Sequence, residues 1–255
     1  MSDAREVVVV GGTSGIGEAI AHGFAALENH RVIAAGLLPE PISPAGAASN
    51  PVPATPGSGG SEVVPGRVSQ LALDVRDAAN VERFFAALER LDVLVNCAGI
   101  IRRDGAEFDE EGFTAVVDVN LAGTMRCARA ARPLLAARGG CIVNTASMLT
   151  YFGSGAVPAY AASKGAIGQL TRSLAIAWAA DGIRVNAIVP GWIGTELTRA
   201  LEGDEVKSAA ILARTPMGRW GTPEDLVGPT LFLASEAAAF VTGALLTVDG
   251  GYSAA

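Results

Sequence analysis

Residues 7–24 read "VVVVGGTSGIGEAIAHGF". The valine run suits a strand covered on both faces, and the segment from Gly15 to about residue 27 has the make-up of a helix. Gly11, Gly15 and Gly17 fall between and at the mouth of these elements, spaced G-x3-G-x-G. Each has its own physical task. The first permits a tight turn, the second lets backbone approach a bound group closely, and the third allows helix and strand to pack tightly. The helix start then presents free N–H groups and a positive dipole. No Lys-Ser/Thr follows, so this is not a P-loop.

Outward from this stretch, short β-branched runs alternate with alanine-rich segments. Strands are expected over Glu6–Val10, Arg31–Ala35, Val68–Leu73, Leu91–Val95, Cys141–Thr145, Ile183–Val189 and Leu245–Val248. Helices are expected over about 15–27, 78–89, 109–137, 158–180 and 222–235. Runs such as "LDVLV" and "IRVNAIV" are apolar almost throughout, as in strands buried on both faces. Alternating β and α implies a Rossmann-type, doubly wound parallel sheet of seven strands in one α/β domain. In such a sheet the turn after the first strand binds a dinucleotide.

One tract breaks the rhythm. Seven of the 13 prolines lie between Pro39 and Pro65, and proline excludes helix over most of that span. Were it a linker, residues 1–38 would have to fold alone as strand–helix–strand, which cannot bury enough apolar surface. Residues 39–66 are therefore expected to be a mobile surface loop that replaces a crossover helix within one domain, 1–255.

Composition narrows the function. A net charge of −7 and a pI near 4.9 argue against nucleic-acid binding. The longest apolar runs are too short to span a bilayer, and the charged N-terminus is no secretory signal. Three cysteines without paired spacing suit a reducing, cytoplasmic setting. With only two histidines, neither near a ligand cluster, no metal site is expected.

Chemistry concentrates in "VPAYAASKGAIGQL" (157–170), where Tyr160 and Lys164 stand one helical turn apart on one face. A nearby ammonium and a cationic oxidised nicotinamide would favour the phenolate and lower its pKa. Tyr160 could then exchange a proton with an alcohol or carbonyl oxygen. A surface Tyr–Lys pair is the plain alternative. Ser147, in "CIVNTASML" (141–149), ends a strand where α/β sheets build their sites. Asn120, in "VVDVNLAGT" (116–124), is a weak helix former placed in a helix interior, either for a polar task or as a satisfied core amide.

With these residues, "NCAG" at 96–99, "PGW" at 190–192 and "VDGG" at 248–251, the chain resembles the short-chain dehydrogenase/reductase family from end to end. The resemblance implies an Asn120–Ser147–Tyr160–Lys164 tetrad. Tyr160 would be general acid/base and Lys164 would hold the ribose hydroxyls. Ser147 would orient the carbonyl, and Asn120 would anchor a proton-relay water. The implied cofactor contacts are Gly11, Ser14, Gly15, Ile16, Gly17, Gly36, Leu37, Asp74, Val75, Asn96, Ala98, Gly99, Tyr160, Lys164, Pro190, Gly191, Ile193 and Thr195. Val10 and Cys97 depart from the commonest pattern, and the tyrosine spacing of the related enoyl reductases is absent. Cys97 is expected to be a small buried residue, and Asp74 has a helix-capping role as its alternative.

An acid at the end of the second strand reads the ribose 2′-OH of NAD, and an arginine there accommodates the NADP phosphate. Gly36 and Leu37 stand at that place and carry no charge, so NAD is expected over NADP. Residues 192–220 are implied to be a substrate lid. Met148, Leu149, Trp192 and Ser147 are candidate pocket residues, with ordinary packing as their alternative. "AGIIRRD", "NTASMLTYFG" and "KSAAILARTPMGRWG" resemble dehydrogenases of deoxy-sugar acids, for which Arg102 or Arg103 could grip a carboxylate bidentately; a solvated or subunit-interface arginine is the alternative. A 3-oxoacyl thioester reductase and a non-catalytic dinucleotide-binding scaffold remain open. The resemblance also implies a homotetramer.

Overall fold

The computed structural model describes residues 4–38 and 67–255. The expected proline-rich loop at 39–66 lies outside them. Seven strands form one all-parallel sheet in the order β3-β2-β1-β4-β5-β6-β7. They are β1 (Arg5–Val10), β2 (His30–Gly36), β3 (Val68–Ala72), β4 (Val93–Asn96), β5 (Cys141–Thr145), β6 (Arg184–Pro190) and β7 (Leu245–Val248). This is the expected single-domain Rossmann fold. Strand order reverses between β1 and β4, and the crevice at that switch point is where such sheets bind ligands.

Helices α1 (Gly15–Ala25), α2 (Ala78–Ala86), α3 (Glu110–Val117), α4 (Thr124–Ala136) and α5 (Pro158–Ala177) follow the expected segments. Alternation along each strand divides the core in two. Val8, Val10, Leu94 and Ile142 face Phe85, Ala128, Leu135 and Leu174. Val7, Val9, Val95 and Val143 face Ile20, Phe24, Leu226 and Leu233.

Three expected helices differ in detail. The single helix foreseen over 109–137 is interrupted by a π-helical turn at Asp118–Gly123. Its widened backbone brings Gly123 against Val75, so close that a Cβ at Gly123 would stand 2.8 Å from the valine methyl. The last segment begins as a 3-10 turn, Pro223–Leu226, and becomes α-helical only over α8 (Val227–Ala234). Residues 158–180 end as α5 plus a separate turn at Ala179–Asp181, closed by Gly182 at φ 74°. The segment 192–220 carries two further helices, α6 (Arg199–Glu202) and α7 (Glu205–Arg214).

Candidate active site

The turn after β1 is as tight as the glycine spacing implies. Gly11 sits at φ 78°, and a Cβ there would lie 2.4 Å from the Ala98 nitrogen on the turn after β4. Gly17 meets the Gly11 carbonyl so closely that a Cβ would stand 2.1 Å from its oxygen. Gly15, at φ 53°, is less crowded: a Cβ there would be in ordinary contact with Thr195, whose methyl would stand 3.7 Å away. Ser14 occupies the N-cap of α1, yet its hydroxyl makes no cap bond. The early N–H groups of α1, with Ile16 among them, are therefore left without a side-chain cap, beside Gly15 and Thr195. That cradle fits a pyrophosphate.

Around this cradle the other expected contacts fall past the C-terminal ends of β2, β3, β4 and β6 and on α5. Gly36 closes β2 against Thr13, whose Oγ1 is 2.8 Å from where a Cβ would be; Leu37 beside it is 67% exposed. Asp74 does not cap α2. That role belongs to Asp77, whose carboxylate accepts from the Asn80 N–H. Asp74 instead clasps the Arg76 guanidinium, with Nε–Oδ1 3.0 Å and Nη2–Oδ2 2.7 Å. Val75 is buried. The Asn96 side chain turns into the sheet and donates to Asn144 Oδ1 at 3.0 Å. Pro190 ends β6, Gly191 packs against Asp249, and Ile193 is buried beside Gly221.

The four expected catalytic side chains converge. Lys164, 4% exposed, donates from Nζ to the Thr145 carbonyl at 2.7 Å. Its Nζ also lies 5.6 Å from the Tyr160 ring centre. Ser147, two residues past β5, stands beside the Tyr160 phenol and lowers its pKa. It also accepts from the Leu149 N–H. Asn120, carried by the π-helical turn, accepts the Ile100 N–H at 2.8 Å and donates from Nδ2 to the Ile100 carbonyl and Ser163 Oγ. A Cβ placed on Gly99 would have Asn120 Oδ1 at 3.4 Å and Lys164 Nζ at 3.7 Å. Gly99 is thus a bare patch of backbone flanked by both polar groups.

Electrostatics differ from the expectation in one respect. Burial pushes the Tyr160 phenol up; Ser147 and Arg103 oppose this, while the Glu107 charge adds to it. Lys164 aims its charge at Thr145 rather than at the phenol, so in the protein alone burial prevails. Burial likewise holds the Lys164 ammonium down at about 8. Cys97 is half-buried with Sγ 3.1 Å from Thr145 Oγ1, and burial raises its thiol to about 11. An inert thiol matches the packing role expected of it.

On the open side, Met148 is buried and Leu149 half-buried. Trp192 stacks edge-on with Trp220 and Tyr252. Arg103 donates from Nη2 to the Leu197 carbonyl at 2.7 Å, reaching from the loop after β4 to the 192–220 segment. Sequence reasoning missed Glu107, a carboxylate 1% exposed that accepts from the backbone N–H groups of both Arg102 and Tyr160. Its only sequence signal was an acid among apolar neighbours, which is no signal without the fold.

A Rossmann sheet with a glycine-lined phosphate cradle beside a Ser–Tyr–Lys cluster defines the site of a nicotinamide-dependent oxidoreductase. Comparison with known proteins agrees. The profile of a family described as "enoyl-(acyl carrier protein) reductase" matches residues 10–253, and the chain belongs to that family, within the short-chain dehydrogenases/reductases. It is 49% identical over 181 residues to a 2-dehydro-3-deoxy-D-gluconate 5-dehydrogenase of Pseudoalteromonas atlantica, covering 69% of this chain and 71% of the relative. It is 42% identical over 177 residues to a 5-keto-D-gluconate 5-reductase of Escherichia coli, covering 69% of each. The structure of a gluconate 5-dehydrogenase from Burkholderia cenocepacia in complex with NADP and tartrate superposes with a TM-score of 0.84 at 31% identity, over 100% of this chain and 97% of the other. The protein is an NAD(P)-dependent oxidoreductase acting on CH–OH groups. Among the described residues no helix is long and apolar enough to cross a membrane.

Proposed function

We propose that the protein interconverts a secondary alcohol and a ketone on a sugar acid or closely related polyol, with Tyr160 as general acid/base. The nicotinamide, when bound, supplies or accepts the hydride; every other task falls to side chains. Ser147, beside the Tyr160 phenol, lies where it can orient the reacting oxygen. Tyr160 passes the proton, and Lys164 holds the ribose. Asn120 locks the Ile100 turn over α5 and, in this reading, anchors the relay water beside Gly99. Arg103, close enough to Tyr160 to bias its charge, faces the substrate carboxylate. The 192–220 segment, tied to Arg103 through Leu197, closes over it.

The observation that carries this reading is the grouping of half-buried Tyr160 with buried Ser147 and Lys164 past the end of β5. Tyr151 is the other nearby phenol, but it is 46% exposed and its hydroxyl rests against Thr247 Oγ1 at 3.3 Å, without a lysine beside it. Turnover of keto-sugar acids by Tyr160→Phe and Tyr151→Phe decides between them. Tyr160→Phe loses kcat by about 10²-fold or more with NAD(P)H binding intact, and Tyr151→Phe keeps most of it. The reverse pattern refutes the assignment.

For the cofactor, β2 ends without charge at Gly36–Leu37, and Arg76 is already clasped by Asp74. NAD(H) is accordingly the better substrate in this reading, and a kcat/KM about tenfold higher with NADPH than with NADH would overturn it. A homotetramer is supported by large apolar side chains left bare, with Ile176 81% and Phe108 69% exposed; light scattering checks it. A cytoplasmic setting is consistent with three free thiols.

A further inference from the structure

The Tyr160 helix begins badly. Its N-cap is Val157, which has no acceptor, and Pro158 follows at the first helical position. The N–H of Tyr160 at the third position would be an orphan donor. Glu107 supplies the acceptor from 53 residues away, Oε2 receiving that N–H at 2.9 Å. Oε1 receives the Arg102 N–H, also at 2.9 Å.

We propose that Glu107 is a positioning residue: one buried carboxylate ties the backbone of Tyr160 to the Arg102–Arg103 loop, so that proton donor and substrate-facing arginine keep a fixed relation. The inference rests on Tyr160 being the general acid/base. Local structure is built to hold this carboxylate inward. Asp104 (φ 57°) and Gly105 (φ 82°) turn the chain through two left-handed residues. A 3-10 turn, Ala106–Phe108, follows at once. Helix α3 then clamps that turn from behind, at Gly112, where a Cβ would stand 1.8 Å from the Ala106 carbonyl oxygen. A hydroxyl at position 157 would cap α5 without burying a charge. The buried carboxylate instead joins two parts of the site and places a negative charge at the positive end of the helix.

The same charge reaches the phenol. Glu107 raises the Tyr160 pKa and Arg103 lowers it; the Lys164 ammonium stands over the ring, and Ser147 is uncharged. Asp109, Glu110 and Glu111 at the start of α3 are exposed to solvent. Removing the Glu107 charge therefore favours the phenolate, which alcohol oxidation requires.

The test is Glu107→Gln in the full-length enzyme. An amide has one acceptor for two facing N–H donors, so one tie is lost while the volume is kept. The expected result is a kcat lower by about ten- to a hundredfold with the cofactor KM within about twofold. The acid limb of the oxidation profile should move to lower pH by about half a unit or more. Wild-type kcat, or an unmoved limb with only a lowered Tm, overturns the inference. If Glu107→Gln fails to fold, Glu107→Asp keeps the charge but is one methylene too short for both ties. It should lose kcat with the limb in place, and wild-type kcat in that variant also overturns the inference. Tyr160→Phe run in parallel separates the two readings. If it stays active, the tyrosine assignment fails; if it is dead while Glu107→Gln behaves as wild type, only the positioning role fails.

Discussion

Lys164→Met should yield a protein that is inactive yet no less stable than its parent. The Lys164 ammonium is 4% exposed, and burial brings its pKa from 10.5 to about 8. Each unit corresponds to about 1.4 kcal/mol, so keeping this lysine charged in the fold at pH 7 costs about 3 kcal/mol. Methionine has nearly the same volume and no charge. It forfeits the bond to the Thr145 carbonyl, which offsets about 1–2 kcal/mol of that relief. Urea unfolding at pH 7 should therefore place the variant about 1–2 kcal/mol above wild type. The pH dependence is the sharper measure. In the unfolded chain this lysine keeps its proton up to about 10.5, whereas in the fold it loses it near 8. Between those values the unfolded state binds more protons, so wild-type stability rises with pH through that window. Other groups titrate there too, but they do so in both proteins. Wild type should gain about 2 kcal/mol relative to Lys164→Met as pH rises from 8 to 10, so the difference shrinks and then reverses in sign. A variant less stable than wild type at pH 7, or a constant difference across that range, would refute the reasoning.

Three further outcomes follow from the geometry. Gly11→Ala forces a left-handed backbone on a residue whose Cβ would meet the Ala98 nitrogen; a loss of about 2 kcal/mol or more in urea unfolding is expected, together with weakened NADH binding by fluorescence titration. Asp92 sits under the sheet, where its carboxylate accepts the Glu6 N–H at 2.7 Å and pairs with Arg90 at 2.9 Å. Burial alone would raise its pKa, but the Glu6 N–H, Arg90 and Arg138 outweigh this and hold it below the usual range. Asp92→Asn should thus cost about 1–3 kcal/mol at pH 7. Because the folded pKa is depressed, that cost should fade only below about pH 4, as acid titration of unfolding would show. Asn120→Ala strips partners from both backbone groups of Ile100 and from Ser163. It should cost about 2 kcal/mol and lower kcat, which differential calorimetry and turnover measure together.

Much of this architecture was legible because parallel strands buried on both faces write long apolar runs into the sequence. Cys141–Thr145 and Leu245–Val248 fall where the β-branched runs placed them. The turn glycines were legible for a related reason: a φ of 78° at Gly11 leaves a chain few other choices. What stayed hidden depends on hydrogen bonds between distant backbone and side-chain groups. The π-helical turn at 118–123 leaves no mark in residue type, since its members serve equally well in an α-helix. The cap of α2 was equally illegible, because Asp74 and Asp77 both precede the helix at plausible spacing; only the Asn80 N–H, at 3.0 Å from Asp77 Oδ1, distinguishes them.

The side chains proposed for catalysis share one further property. Lys164 is held by the Thr145 carbonyl, Asn120 by the Ile100 backbone, and Tyr160 through its own N–H by Glu107. Backbone atoms move less freely than side chains, so each anchor passes the rigidity of the sheet edge or a helix end directly to a reacting group. A cluster fixed in this way reorganises little when charge moves during proton transfer, and preorganised dipoles of that kind stabilise transition states more than mobile ones do. In the proposed reading substrate recognition falls instead to Arg103 and the 192–220 segment, where α7 buries no residue fully. Specificity can therefore change by substitution in that segment while the Ser147–Tyr160–Lys164 geometry stays as it is, and the different sugar-acid reactions named for the relatives are consistent with that division.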